Sequence, residues 1–249
     1  MPPPPAKSGK SRVGLAIFAV LAVFALVAVG VIVVVARHHQ SPASSAASSA
    51  TMSTDAGAAG QPKSVHIAAP NVATKPGSTE PKVQLVTYED FLCPVCGAFE
   101  SMYAQTINQL IDSGQIAVDY TLVSVLGQHK TSSYSVRAGA AGYCVADADT
   151  AAFRRFHAAL FANQPDELGT SFPGDDQLIA QAAAAGATGS VPDCVHSGKY
   201  LDMVNNAAEN ANIEGTPTVY LNGVEIGREL LMKRDPRVLL DKVQAVTGS

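Results

Sequence analysis

The sequence predicts one α/β domain in the order β-α-β, helical insertion, β-β-α, and two observations lead to this fold class. Between residues 82 and 123, a strand-like run is followed by a helical pattern and a second strand-like run. Near the C-terminus, Asn222-Gly223 separates two more strand-like runs, and a helical pattern follows them. This order favours a β-sheet covered by helices.

The first half of the domain begins with β-branched and aromatic residues at 82–88, which predict a strand. Residues 94–113 carry apolar side chains at helical spacing and end at Gly114, which predicts a helix. Residues 116–123 again favour a strand. A strand, a helix and a strand in succession indicate a right-handed parallel crossover.

The helical insertion spans about 130–213 and is rich in alanine. It holds about four helical patterns, with breaks near Asp149, at 165–173 and at 186–192.

The last part of the chain contains a hairpin and a helix. Asn-Gly at 222–223 is the strongest short signal for a two-residue hairpin turn. Asp235-Pro236 places a capping residue and a first-turn proline at the start of a helix that ends near Val246.

The N-terminal part predicts a membrane anchor joined to the domain by a linker. Residues 1–12 form a basic cytoplasmic tail, and 13–36 are an uncharged apolar run of about 24 residues, long enough to span a bilayer. A cleaved signal peptide is the alternative, but its apolar region is usually shorter. Residues 37–76 are predicted to be a flexible extracytoplasmic linker, although 61–81 also allow an edge strand. The domain is assigned to 77–249.

The charge distribution argues against nucleic-acid binding. The chain carries 17 basic and 21 acidic residues. Four basic and no acidic residues lie at or before position 37, so the remainder has 13 basic residues against 21 acidic ones. An acidic body without a basic stripe offers no surface for a phosphate backbone.

Cys93-Pro94-Val95-Cys96 lies where the first predicted strand passes into a helix. The unpaired N–H groups and positive dipole of a helix N-terminus stabilise a thiolate, which is the attacking species in disulfide exchange. Cys96, one turn later, faces the same side and can close a disulfide with Cys93. Pro94 suits the first turn because its missing N–H costs nothing there.

Two other interpretations of this motif are weaker. In a zinc site, the remaining ligands would come from Cys144, Cys194 or a histidine at irregular, distant spacing. A purely structural disulfide is hardly needed by a domain of roughly 170 residues. We therefore expect a redox site without metal.

Two segments resemble DsbA-like thioredoxin-fold proteins, especially the membrane-anchored ones of actinobacteria. Residues 86–100, Val-Thr-Tyr-Glu-Asp-Phe-Leu-Cys-Pro-Val-Cys-Gly-Ala-Phe-Glu, are similar to the family's active-site segment. Residues 214–223, Glu-Gly-Thr-Pro-Thr-Val-Tyr-Leu-Asn-Gly, resemble its cis-proline loop and hairpin. The resemblance implies a thioredoxin-like fold with an inserted helical subdomain, and a protein disulfide oxidoreductase that needs no cofactor.

The resemblance also implies where substrate binds. It implies a cis bond between Thr216 and Pro217 beside the cysteine motif, with a substrate peptide along this loop and against Pro94 and Val95. Without the resemblance, an ordinary trans proline at the start of a strand is the simpler interpretation of Pro217.

This chain departs from the family pattern at two positions. Many relatives have a buried acid six positions before the first cysteine, as proton acceptor for the second thiol; here Thr87 stands there. Glu89 and Asp90 are alternatives, but we expect both to be solvated loop residues. Strong oxidants of the family carry histidine where this chain has Val95, so we expect a less acidic Cys93 and a milder oxidant.

Cys144 and Cys194, both in the insertion, are predicted to form a structural disulfide, because an exported domain lies where disulfides persist. Two buried thiols, or a zinc site with His157 or His196, are the alternatives. The isolated His129, His157 and His196 are given no role.

The favoured function is oxidation of cysteine pairs in exported polypeptides by a monomer held at the cell membrane. The resemblance implies re-oxidation by a quinone-linked membrane protein of DsbB or VKOR type. Reduction or isomerisation of disulfides at the same residues is one alternative, since the direction depends on the relative stability of thiolate and disulfide. A non-catalytic module that binds a peptide at Pro217 is the other.

Overall fold

A mixed sheet forms the centre of the described part of the chain. The computed structural model describes residues 62–126 and 133–248. β2 and β3 run parallel, and each other neighbouring pair is antiparallel. The strands are β1 (Val65–Ile67), β2 (Gln84–Glu89), β3 (Ala117–Leu122), β4 (Thr218–Leu221) and β5 (Val224–Glu225), in the spatial order β1-β3-β2-β4-β5.

Helices cover both the sheet and one another. α1 contacts α3 and α8, and α2 contacts β3 and α6. The helices are α1 (Pro94–Asp112), α2 (Tyr134–Ala148), α3 (Thr150–Ala162), α4 (Asp175–Ala184), α5 (Val191–His196), α6 (Leu201–Asn210), α7 (Gly227–Lys233) and α8 (Pro236–Thr247). The predicted α/β class, a thioredoxin-like sheet interrupted by a helical insertion, is confirmed.

β2 is the central strand of the sheet, and it leads to the cysteine motif. Its side chains alternate, so that Leu85, Thr87 and Glu89 are buried on one face. β3 and β4 flank it, and Thr87 is in register with both Tyr120 and Val219. The end of β2 therefore lies deep inside the molecule.

α1 begins directly after β2 and is fixed at both ends. Pro94 is its first residue, and the N–H of Gly97 donates to the carbonyl of Cys93 at 3.1 Å. The helix ends at Asp112, and Gly114 follows the C-cap residue with a φ of +73°, a left-handed conformation that glycine adopts easily. A Cβ at that position would also lie 2.8 Å from the carbonyl oxygen of Asn71.

The predicted hairpin is present, and a short helix follows that the sequence analysis does not predict. Asn222 and Gly223 both have positive φ between the antiparallel strands β4 and β5. α7 then adds seven residues before Asp235, whose side chain caps α8 by accepting from the N–H of Arg237. So short a helix shows too little periodicity to be recognised in the sequence.

The sheet begins earlier than the boundary predicted at residue 77. β1 pairs with β3, with Val65 opposite Tyr120 and Ile67 opposite Val118. Val65 and Ile67 are both buried. The edge strand that the sequence allowed within 61–81 is therefore part of the fold, and the linker assigned to 37–76 reaches too far.

The insertion contains five helices in its described part, one more than the patterns indicate. Asp149 ends α2 and caps α3, where a break is predicted. The additional break lies between α5 and α6, around Gly198, which has a positive φ. It was not predicted because α5, at six residues, is too short to show a helical period of its own. α2 is buried along most of its length and forms the core of the insertion.

No helix within residues 62–126 and 133–248 is long and apolar enough to cross a membrane. The predicted tail (1–12), anchor (13–36) and most of the linker lie outside the described residues, as does His129.

Candidate active site

The two cysteines of the motif lie at the start of α1, and both are free thiols. Cys93 occupies the N-cap position with an extended backbone, and Cys96 follows in the first turn. Cys96 is completely buried, whereas Cys93 keeps 7% of its surface exposed. An incoming sulfur atom can therefore reach Cys93 and not Cys96.

The two thiols differ in acidity because their surroundings differ. A hydrogen bond with Cys96 lowers the pKa of Cys93 to about 6, against the effect of burial. Hydrogen bonds from Thr216 and from the backbone N–H groups of Val95 and Cys96 act in the same direction. Burial raises the pKa of Cys96 well above its usual value, and the hydrogen bond with Cys93 adds to this. Cys93 is thus the thiolate and Cys96 the proton carrier.

The loop before β4 lies beside Cys93. The peptide bond between Thr216 and Pro217 is cis. The sulfur of Cys93 is 3.4 Å from the carbonyl oxygen of Thr216. Pro217 is buried, whereas Pro94 and Val95 are exposed next to the sulfur. The structure thus brings together all the residues for which catalysis or substrate binding was expected.

The side chains of Gln164 and Asp90 hold the segment that carries Cys93; neither was expected in this role, and Gln164 was not singled out in the sequence at all. The amide of Gln164, just after α3, donates to the carbonyls of Cys93 at 2.9 Å and Phe91 at 3.1 Å. The Asp90 carboxylate accepts from the N–H groups of Leu92, Val125 and Leu126 and from the hydroxyl of Ser135. Asp90 thereby joins this segment to the chain that follows β3.

The expectation that Glu89 and Asp90 are solvated is wrong. Glu89 is 1% exposed and Asp90 is fully buried. The reason is tertiary, because β2 extends through Glu89 and the insertion covers its end. The acid missing at Thr87 therefore has a buried counterpart two residues later.

Glu89 meets two more titratable side chains, Glu100 on α1 and His157 on α3. His157 Nε2 is 2.7 Å from Glu89 Oε2, and His157 Nδ1 is 3.8 Å from Glu100 Oε2. All three residues are buried. His157, for which no role was expected, is therefore a partner of Glu89. A sequence signal existed, since His157 shares an apolar helix face with Phe153.

Burial dominates the electrostatics of this group. It raises the pKa of Glu89 to about 7 and that of Glu100 to about 8, where the charge of Glu89 adds to the effect. Burial also lowers the pKa of His157. Within residues 62–126 and 133–248, these three side chains also form the group that could hold a metal ion. Each offers one ligand atom, and the three atoms lie within 4.8 Å of one another.

A shallow groove of about 320 Å³ adjoins the cysteine motif. Val95 is 46% exposed at its edge. Of the lining residues, only Pro94 and Val95 were predicted from the sequence. The opposite wall belongs to α7, which was not predicted, and to Arg234, the residue after it. The groove is lined by Pro94, Val95, Ala98, Met102, Leu231 and Arg234.

Cys144 on α2 and Cys194 on α5 form a disulfide, with their Cα atoms 5.8 Å apart. These two sulfurs are therefore not available as zinc ligands, and the alternative zinc site with His157 or His196 is excluded. His196 lies near Asp176 at 3.2 Å, away from the cysteine motif.

Comparison with known proteins places this geometry in a class. A solved structure of the reduced disulfide bond oxidoreductase DsbG from Mycobacterium tuberculosis is 43% identical, with a TM-score of 0.69, and the match covers 75% of this chain and 88% of that one. Oxidised DsbA from the same species has the same identity and TM-score and is 94% covered. The fold and the paired cysteines define a thiol–disulfide oxidoreductase.

A family model described as Thioredoxin matches residues 73–235. The chain belongs to this family and is DsbA-like within it. BdbD from Bacillus subtilis shares the fold at 21% identity, with a TM-score of 0.58 and coverage of 76% of this chain and 97% of that one.

A curated relative shows the same domain in another context. The serine/threonine-protein kinase PknE of M. tuberculosis is 34% identical over 155 residues, which are 58% of this chain. The match spans only 27% of that kinase.

Proposed function

We propose that this chain oxidises cysteine pairs in exported polypeptides through Cys93 and Cys96. One observation carries the proposal: Cys93 caps α1 beside the loop at Pro217, with the buried Cys96 as its partner. The low pKa of Cys93 makes it a good leaving group, which favours passing a disulfide to substrate.

The reaction starts from the Cys93–Cys96 disulfide. A substrate thiolate attacks the sulfur of Cys93, the bond between the two cysteines breaks, and Cys96 leaves with the electron pair and takes a proton. A second substrate thiolate then attacks the substrate sulfur of the mixed disulfide, and Cys93 leaves as a thiolate. Two electrons pass from the substrate dithiol to the protein, which ends as Cys93 thiolate and Cys96 thiol.

Glu89 is the proposed proton donor and acceptor for Cys96. It replaces the acid that relatives carry at the position of Thr87. Its negative charge contributes to the raised pKa of Cys96, which indicates that the two groups are electrostatically coupled. A general acid works best with a pKa near the working pH, and the pKa of Glu89, about 7, meets this condition.

Substrate recognition is assigned to the surface around Cys93. Thr216 and Pro217 would present backbone groups to an extended peptide, as the resemblance implies, while the apolar groove beside Pro94 and Val95 would take a side chain. The groove ends at Arg234, so an acidic residue next to the substrate cysteine would suit it.

The location and the oxidant remain those expected from the sequence. An anchor at residues 13–36 would hold the domain outside the cytoplasmic membrane. A quinone-linked membrane protein of DsbB or VKOR type would re-oxidise Cys93–Cys96, with the chain acting as a monomer.

The test is oxidation of a reduced, unfolded substrate with two cysteines by the oxidised protein, followed by mass spectrometry. We expect stoichiometric transfer by the wild type and none by Cys93→Ser, while Cys96→Ser should accumulate the mixed disulfide during reduction of an oxidised substrate. The reduction potential of Cys93–Cys96, measured against glutathione, decides the direction. A potential above about −200 mV supports an oxidase, and one near about −270 mV supports a reductase. Peptide binding without any disulfide exchange would support the alternative function, a non-catalytic peptide-binding module.

A further inference from the structure

The cluster of Glu89, Glu100 and His157 contains more titratable groups than proton exchange with Cys96 requires. The three side chains come from β2, α1 and α3, and each is at least 94% buried. Glu100 lies one helical turn beyond Cys96 on α1. The inference drawn from them rests on the proposed function and concerns how Glu89 is controlled.

Among the described residues, no lysine or arginine forms an ion pair with the two glutamates of this cluster. Among the ion pairs of residues 62–126 and 133–248, the two glutamates pair only with His157. Arg154, on the same helix as His157, is bound instead to Asn108 and Asp112. Two buried carboxylates without a cation are costly, so at least one of them holds a proton.

Unpaired oxygen atoms indicate where that proton lies. Glu89 Oε1 and Glu100 Oε1 are buried, and neither has a donor from the described protein groups. A proton on Glu100 supplies the missing donor, because one oxygen of each carboxyl group lies within 4.8 Å of the other and the two groups interact directly. His157 Nε2–H supplies a second donor to Glu89 at 2.7 Å. Glu89 can therefore be an anion that accepts two hydrogen bonds.

The other titratable side chains described near the cluster include Asp90, Tyr120 and Cys96. The Asp90 carboxylate follows Glu89 in the chain and is already bound by the N–H groups of Leu92, Val125 and Leu126 and by the hydroxyl of Ser135. Thr87 faces Glu89 from the same strand, and Tyr120 faces the two glutamates from β3. His157 is enclosed by the aromatic rings of Tyr120 at 4.8 Å, Phe161 at 5.0 Å, Phe91 at 5.5 Å and Phe153 at 5.6 Å. Cys96 is a further titratable neighbour of Glu89.

We propose that Glu100 and His157 are positioning residues for the proton exchange at Cys96. Glu100 stays protonated and donates one hydrogen bond to Glu89, and His157 donates another. These two donors hold Glu89 as the group that gives a proton to Cys96 when the Cys93–Cys96 disulfide opens, and takes it back when the disulfide forms. Because Glu100 stays neutral, Glu89 can lose its proton without leaving two buried negative charges.

The order of the pKa values of Glu89 and Glu100 agrees with this arrangement. Glu100 keeps its proton to a higher pH, with a pKa of about 8 against about 7 for Glu89. Above pH 8, Glu100 ionises and the donor to Glu89 is lost. After correction for ionisation of the substrate thiol, the opening of the disulfide should slow first near pH 7, as Glu89 loses the proton that it gives to Cys96, and again above pH 8, as Glu100 ionises.

Two pairs of variants test the proposal in the oxidised full-length protein. Glu100→Gln keeps a donor that cannot ionise, and Glu100→Ala removes it. His157→Gln keeps a donor, and His157→Phe removes it but fits the aromatic surroundings. The first readout is the rate of disulfide opening by a cysteine peptide between pH 5 and 10. The second is the NMR titration of the glutamate carboxyl carbons, assigned with Glu89→Gln and Glu100→Gln.

We expect the disulfide of Glu100→Gln to open within about twofold of the wild-type rate at pH 7, to keep the decline that follows ionisation of Glu89, and to lose the further decline above pH 8. His157→Phe should be slowed about tenfold at pH 7 and shift the Glu89 titration upward, whereas His157→Gln should do neither. An unchanged decline of the opening rate above pH 8 in folded Glu100→Gln overturns the proposal. So does a Glu100 carboxyl that titrates near its ordinary value, or stoichiometric Zn²⁺ binding by the wild type that Glu100→Gln abolishes. If the wild type exchanges no disulfide at any pH, the proposed function fails instead, and the NMR titration still reports on the cluster.

Discussion

Val95 lies between the two active-site cysteines, and its side chain has no group that can donate a hydrogen bond to a thiolate. It is exposed, so a larger side chain can be placed there without disturbing the core. The acidity of Cys93 therefore depends on Cys96, Thr216 and the backbone of α1. This is the physical basis for expecting a milder oxidant than relatives with histidine at this position.

We predict that Val95→His lowers the pKa of Cys93 by about one unit, which corresponds to about 1.4 kcal/mol of thiolate stabilisation, and raises the reduction potential. The imidazole can donate to the Cys93 sulfur, whereas the leucine of Val95→Leu cannot. Thiolate absorbance as a function of pH measures the first effect, and equilibration with glutathione measures the second. Equal values for Val95→His and Val95→Leu would contradict the argument.

The buried acids should make stability depend on pH. Glu89 holds its proton more tightly in the folded state, because its pKa rises from 4.5 to about 7. The folded state then binds more protons than the unfolded state, so the free energy of unfolding decreases as pH rises through this interval. The same sign applies to Glu100 up to pH 8.

We therefore predict that Glu89→Gln is more stable than the wild type at pH 9, by about 1–3 kcal/mol, although it exchanges disulfides more slowly. At pH 5 this advantage should vanish, because Glu89 is then protonated. Urea unfolding of the oxidised proteins at pH 5, 7 and 9 measures this. Glu167→Gln, a change at an exposed side chain, is the matched control and should follow the wild type. Parallel curves for Glu89→Gln and the wild type would refute the prediction.

At the level of secondary structure, the central helix of the insertion depends on a small residue. Gly139 on α2 faces Val204 on α6, and a Cβ at Gly139 would lie 2.7 Å from Val204 Cγ1. Both residues are buried, so the neighbour has little room to move. This close approach explains why a helix interior carries a glycine despite its cost in propensity.

We predict that Gly139→Ala lowers the free energy of unfolding by about 1–3 kcal/mol through overpacking. Val204→Ala alone should also be destabilising, because it leaves a cavity. The double variant should lose less free energy of unfolding than the sum of the two single variants, because the added methyl group of Gly139→Ala can occupy the cavity left by Val204→Ala. Urea denaturation of the four proteins gives the coupling energy, and strict additivity would show that Gly139 and Val204 do not limit each other.

Element prediction succeeded where signals were local and failed where elements were short. The strand–helix junction at Cys93 and the Asn222-Gly223 turn depend on neighbouring residues, and both are present in the structure. β1 has three residues and α7 has seven, too few to show a period. Their positions are fixed instead by pairing with β3 and by contact with α8 and β4.

At the level of the complete domain, the Cys144–Cys194 disulfide joins two helices across 50 residues of sequence. Closing a loop of this length reduces the entropy of the unfolded chain, so we predict that Cys144→Ala/Cys194→Ala lowers the free energy of unfolding by about 2–4 kcal/mol. Exchange at Cys93 should be unaffected at 25 °C, because the pair lies within the insertion. Denaturation and substrate-oxidation assays check the two statements, and loss of exchange in the folded variant would mean that this disulfide takes part in the reaction.

The amino-acid order already fixes the chemistry at Cys93 and Cys96, because a helix N-terminus and a one-turn spacing are properties of a short stretch of chain. The same holds for the alternation of β2 and for the hairpin. The surroundings of Glu89 are different. Glu89 and His157 are 68 residues apart, and nothing near either one indicates the other. Their contact exists because α3 packs over the end of β2, and burial, which only the folded chain provides, converts an ordinary glutamate into a group that can exchange a proton near pH 7.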